Sequence, residues 1–185
     1  MTSRTMHTPD QPGEGMLALQ RAGAGTKDGI AVSSPAIHGT ISKVQSEYGD
    51  GVSPEIWWDG VEGAKSYALI LEDPDARSPK PFVHWVAYNI PGDRTSLPEG
   101  LQDQATLAEP KGLLQGKTSQ GEVGYFGPRP PVGDPPHHYH FQVFALDTTL
   151  DVPPGAERDD VLSAMDGHVL AAGELVGTYE QASEP

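Results

Sequence analysis

The chain has 185 residues and not one cysteine, which rules out disulfides, thiolate nucleophiles and zinc held through sulfur. It is also poor in positive charge. Twelve lysines and arginines stand against 26 acidic residues, a formal net charge of −14. A surface of that sign repels phosphate backbones, so nucleic acid is not an expected partner; the plainest consequence of the charge is solubility. Long apolar runs are missing too. The opening MTSRTMHTPDQPGEG lacks the apolar core of a secretory signal, and no later stretch is long enough to span a bilayer. The expectation is a soluble cytoplasmic protein. There is no internal repeat, no heptad pattern and no G-x-S-x-G nucleophile motif.

What is abundant is glycine (22) and proline (18), a composition that favours many turns over long helices. The length suits one domain with a real core. Residues 1–28 are polar and weakly patterned and read as a partly ordered extension, with Met16-Leu17-Ala18-Leu19 as a short strand or helical turn. Residues 29–182 read as the domain.

The strongest strand signal is Lys65 to Glu72, apolar on both faces and so suited to the inside of a sheet. Phe82 to Ile90 and His137 to Leu146 are two more. Shorter strands are expected at Ile30 to Ser33, Ile41 to Gln45, Glu55 to Trp58 and Ala105 to Glu109, with both Trp57 and Trp58 in the core. Lys111 to Gly124 reads as a loop. Val161, Leu162, Met165, Val169 and Leu170 fall at helical spacing, which predicts one helix over Ala156 to Ala172, ended by Gly173, before a closing strand Glu174 to Glu180.

Polar groups that could do chemistry cluster at strand ends. Pro74 lacks an amide hydrogen and pushes Asp73 toward an extended backbone, which places Asp73 where the strand becomes loop. His84 lies within the second strand. In the third, alternation puts His137, Tyr139 and Phe141 on one face and His138, His140 and Gln142 on the other. His138 and His140 sit at i, i+2 and could share a metal, but no acid lies close in sequence, and neither metal nor cofactor is expected. Nor does local sequence place a serine beside the histidines. An Asp73–His84 general-base pair acting on small esters is the enzymatic alternative.

Asp73-Pro74-Asp75-Ala76, His84-Trp85-Val86, Gly127-Pro128-Arg129-Pro130-Pro131 and Pro136-His137-His138-Tyr139 occur in that order, with Ser53-Pro54, Trp58 and Gly177-Thr178-Tyr179. Together they resemble the phosphatidylethanolamine-binding protein family, in its bacterial and archaeal Raf kinase inhibitor-like branch. The resemblance implies a mainly β fold, a large antiparallel sheet packed on a smaller one with Greek-key connections and one C-terminal helix. It also implies a non-catalytic pocket for a small anion such as phosphate or phosphoethanolamine, lined by Asp73, His84, His137 and Tyr139. Gly127, Pro128 and Pro130 then form its rigid wall.

Two imidazoles and a phenol would supply N–H and O–H donors to an oxyanion. Asp73 would fix a histidine tautomer, raise that histidine's pKa or accept from an ammonium. Asp75 is expected to brace the loop by accepting backbone N–H groups. A homodimer and an unidentified protein partner are compatible with the resemblance, as is an interaction protein with a vestigial pocket. Four positions depart from the family pattern. Arg77 replaces a usual proline, Arg129 stands in the proline loop where the branch often has cysteine, Tyr48 stands near the Asp50 turn where the branch often has another cysteine, and Thr118 stands where asparagine is frequent.

Overall fold

The computed structural model describes residues 16–22 and 29–183. Most of the expected extension over residues 1–28 lies outside the described residues; within it, Met16–Ala22 carry a short helix, α1 (Ala18–Ala22). Strands β1 (Val32–Ser33), β2 (Ile56–Trp58), β3 (Ser66–Asp73), β4 (Phe82–Pro91), β5 (Ser96–Leu97), β6 (Leu114–Gln115) and β7 (His137–Leu146) follow in order. Helix α2 (Arg158–Met165) and strand β8 (Val169–Tyr179) close the chain.

These strands form two antiparallel sheets, a small one ordered β1-β2-β5 and a large one ordered β6-β4-β3-β7-β8. Within the large sheet β7 returns beside β3 after β4 and β6, which is a Greek-key path. The fold is mainly β, as the sequence predicts. β3 lies at the centre and every one of its residues is buried, because apolar layers cover both faces. On one side Tyr67, Leu69 and Leu71 meet Ile56, Trp58 and Leu97 of the small sheet. On the other, Ala68 and Ile70 meet Val161, Leu162 and Met165 of α2 and Ala18 of α1.

The helix is shorter than its periodicity predicts. It stops at Met165; Gly167 takes a positive φ of 77°, and Val169 onward pairs with β7. Val169 and Leu170 fit a helical stripe, but backbone pairing over the full length of β7 overrides that local preference. Gly173 therefore lies inside a strand. Its missing Cβ lets the carbonyl of Ile30 approach to 1.8 Å from where that atom would be.

Ile41 to Gln45 is not a strand: Lys43–Gln45 form a 3₁₀ turn, and Ser46 Oγ bonds back to the Lys43 carbonyl. Ala105 to Glu109 contributes one isolated bridge, Thr106 to Leu114, while the strand forms at Leu114–Gln115 in the expected loop. Trp58 is buried but Trp57 is 43% exposed, as strand alternation requires of neighbours on a sheet with one covered face.

Candidate functional site

Asp73 ends β3, and the chain turns at Pro74. Its Oδ1 accepts the amide of Asp75 at 2.7 Å, closing the turn that aspartate before proline favours. Its Oδ2 lies 2.7 Å from Nδ1 of His137, the first residue of β7. Tyr139, two residues on and on the same face, stacks near His137 at 6.5 Å and meets His84 edge-on at 5.2 Å.

His84 reaches this face through a β-bulge. Leu71 pairs with Trp85 and Glu72 with Val83, so His84 is an extra residue on β4. Regular alternation from Trp85 would have turned it toward the helices, alongside Val86. The fold thus brings Asp73, His84, His137 and Tyr139 to one cavity of about 180 Å³. Pro130 lines the cavity as well.

Gly127 and Pro128 stand behind that wall. The amide of Gly127 donates to Glu47 Oε1 at 2.7 Å, the amide of Glu47 donates to the Pro128 carbonyl at 2.9 Å, and Tyr48 Oη donates to the Pro130 carbonyl at 2.6 Å. Gly127 allows this contact, since a Cβ there would sit 2.2 Å from the carbonyl oxygen of Gln45.

The protonation pattern follows from geometry. His84 is buried, and Nδ1 donates to the Phe126 carbonyl at 2.7 Å. Burial lowers its pKa to about 4, so the ring is neutral at physiological pH, with its proton on Nδ1 and Nε2 left as an acceptor. His137 is the opposite case. Burial alone would lower its pKa, but Asp73 on Nδ1 and Asp134 on Nε2, at 3.1 Å, outweigh it and raise the value. Both ring nitrogens of His137 are held by carboxylates. Burial raises the Asp73 pKa, with the His137 and Asp75 hydrogen bonds opposing it.

Neither histidine therefore offers an uncommitted N–H. A free donor inside the cavity is the Tyr139 hydroxyl, which is buried and has no hydrogen-bond partner among the described residues. Burial, with Asp73 nearby, raises its pKa and keeps it a phenol.

Positive charge enters at the rim. Arg77 Nη2 lies 2.8 Å from Asp134 Oδ1, so the Asp134 carboxylate bridges Arg77 and His137, and Arg129 lines the same cavity. Asp75 accepts the backbone amide of His138 at 2.7 Å and lies 2.8 Å from its ring nitrogen. Those bonds overcome its partial burial and hold its carboxyl below the usual range. His140 lies on a different acid, Glu174, at 3.0 Å. Among the described residues no group of three or more His, Asp or Glu is placed to hold a metal ion. The loop with Thr118 is closed by the Thr118 amide on the Glu122 carbonyl, and it delivers Gln120 to the cavity.

Sequence reasoning missed Phe82, Phe126, Gln120 and Asp134. An acid three residues before His137 was a visible signal for Asp134. Phe126 and Gln120 had none, because only folding carries their loops to β4.

The family model described as phosphatidylethanolamine-binding protein matches residues 31–180. The chain belongs to this family. A UPF0098 protein of Methanothermobacter thermautotrophicus is 49% identical over 143 residues, 75% of this chain and 91% of the relative. One from Pyrococcus abyssi is 41% identical over 170 residues, 90% of this chain and 93% of the relative. Among solved structures, Escherichia coli YbcL, described as a member of the mammalian PEBP family, superposes with a TM-score of 0.76 at 32% identity. That match covers 83% of this chain and 99% of YbcL. A putative phosphatidylethanolamine-binding protein homolog from Chlamydia trachomatis gives a TM-score of 0.72 at 36% identity, over 83% of this chain and 98% of its own. The two superpositions agree with the mainly β fold described above. No helix among the described residues is long and apolar enough to cross a membrane.

Proposed function

We propose that the protein is a non-catalytic binding protein whose pocket takes a small phosphate-bearing molecule of the phosphoethanolamine class. One observation carries this reading. The Asp134 carboxylate sits between His137 Nε2 and Arg77 Nη2, so an oxyanion already occupies the place where two cationic groups converge. A phosphate oxygen can take the same position. The Tyr139 hydroxyl supplies a further donor, and Nε2 of His84 can accept from a protonated phosphate oxygen or an ammonium. Membership in a family described by phosphatidylethanolamine binding supports this choice of headgroup. Chemistry has less support: no serine, threonine or cysteine lines the cavity, and both nitrogens of His137 are engaged.

Titration calorimetry with inorganic phosphate and O-phosphoethanolamine tests the reading. Saturable heat is expected from both, and Tyr139→Phe weakens it by about tenfold while leaving the fold intact. Because the ligand competes with Asp134, Asp134→Asn tightens phosphate by about tenfold. No heat from either compound at millimolar concentration overturns the proposal.

A further inference from the structure

The face of the large sheet turned away from the pocket holds a second cluster of polar side chains. Glu72 from β3, Gln142 from β7 and Arg158 from α2 are each more than nine-tenths buried. An apolar layer is a costly place for such groups unless every one is partnered. Their partners are backbone atoms of Met16–Ala22. Glu72 Oε1 accepts the amide of Ala18 at 2.7 Å, and Gln142 Oε1 accepts the amide of Leu19 at 2.7 Å. Arg158 Nη2 donates to the carbonyl of Met16 at 2.5 Å. The cluster also closes on itself: Gln142 Nε2 donates to Glu72 Oε1 at 2.9 Å, and Arg158 Nε lies 2.8 Å from Glu72 Oε2.

Three side chains from three elements thus converge on two consecutive N–H groups and one carbonyl of a separate segment. The segment adds little else. Ala18 alone is buried, Leu19 and Ala22 pack partly against the core, and Arg21 reaches Asp159 at 3.3 Å near solvent. The matched family region begins at residue 31, downstream of this segment, while Glu72, Gln142 and Arg158 all lie within it. Contacts of this kind read backbone rather than side chain, with one filter: at Ala18, which is fully buried, a larger side chain has no room.

We infer that Glu72, Gln142 and Arg158 form a peptide-docking site, separate from the pocket and independent of its proposed ligand. Its ligand class is the first turn of a helical peptide with a small residue at the anchor. Met16–Ala22 fills it in cis as an exchangeable occupant.

Ala18→Trp in the full chain expels the segment, and a fluorescein-labelled peptide of residues 14–24 is then titrated by anisotropy. The variant is expected to bind the peptide saturably and about tenfold or more tighter than the wild type, where the tethered segment competes. Adding Gln142→Ala to Ala18→Trp weakens that binding by about tenfold. A folded Ala18→Trp chain that binds no peptide overturns the inference. Hydrogen exchange of the wild-type chain decides the matter if the variant does not fold. An exchangeable occupant releases the Ala18 and Leu19 amides by local opening, faster than the central amides of β3 and β7. Exchange of those two amides only on global unfolding makes α1 a fixed part of the core and sinks the inference.

Discussion

Glu72 and Asp73 share a peptide bond and serve opposite faces of one sheet. Glu72 faces Arg158 and α1, and Asp73 faces His137 and the pocket. Strand alternation at the end of β3 makes this division, and it lets one strand end hold a buried ion pair on one side and a candidate ligand site on the other.

The ion pair on the helix side is the more exposed to mutation. Arg158→Met leaves the Glu72 carboxylate buried without its cation and is expected to cost about 3–5 kcal/mol. Adding Glu72→Gln restores most of that loss. Urea unfolding of the two single variants and the double gives the coupling; additive losses would show that the charges act independently.

On the pocket side, Asp73→Asn removes one of the two carboxylates that raise the His137 pKa. NMR titration should find the His137 pKa lower in the variant. The stability linkage has a definite sign. A histidine raised in the folded state stabilises fully below its unfolded value near 6.5, and that contribution fades as pH climbs through the higher folded value. Asp73→Asn flattens this alkaline-side loss.

His84 behaves in the reverse sense. Its pKa falls from 6.5 to about 4, so its contribution is intact above pH 6.5 and is lost as pH drops toward 4. Over that window the loss is about 3 kcal/mol, at ~1.4 kcal/mol for each pH unit. Chemical denaturation at pH 7 and pH 4, compared with His84→Leu, isolates the effect. A variant with the same acid dependence as the wild type would contradict it.

Gly127→Ala drives a methyl into the backbone of Gln45. Neither backbone has a rotamer with which to yield, so the loop must shift. Thermal melts are expected to show a loss of about 1–3 kcal/mol. Phosphate affinity should fall in the same variant, because Pro130 and Arg129 move with the loop.

The adjacent tryptophans should separate cleanly. Trp57→Ala is expected to change stability by no more than about 0.5 kcal/mol, while Trp58→Ala should cost about 3–5 kcal/mol. Equal effects would mean that the outer ring is covered by something in solution.

Much of this protein was legible in its residues. Two-sided apolar runs marked β3, β4 and β7, Asp73 before Pro74 marked the mouth of the sheet, and alternation put His137 and Tyr139 on one face. These features depend on backbone sterics and period-two geometry, which act over a few residues and are written directly in the chain. Tertiary structure decided the rest. Val169 and Leu170 suit a helix or a strand equally, and the free edge of β7 settled the choice. The bulge that turns His84 to the pocket exists only through the register with β3, and the bridging position of Asp134 needs Arg77 from a loop 57 residues away. The partners of Glu72 lie 54 and 86 positions off, at Ala18 and Arg158. Period and turn chemistry say what a segment can be, but which distant segment completes it is set when the layers pack.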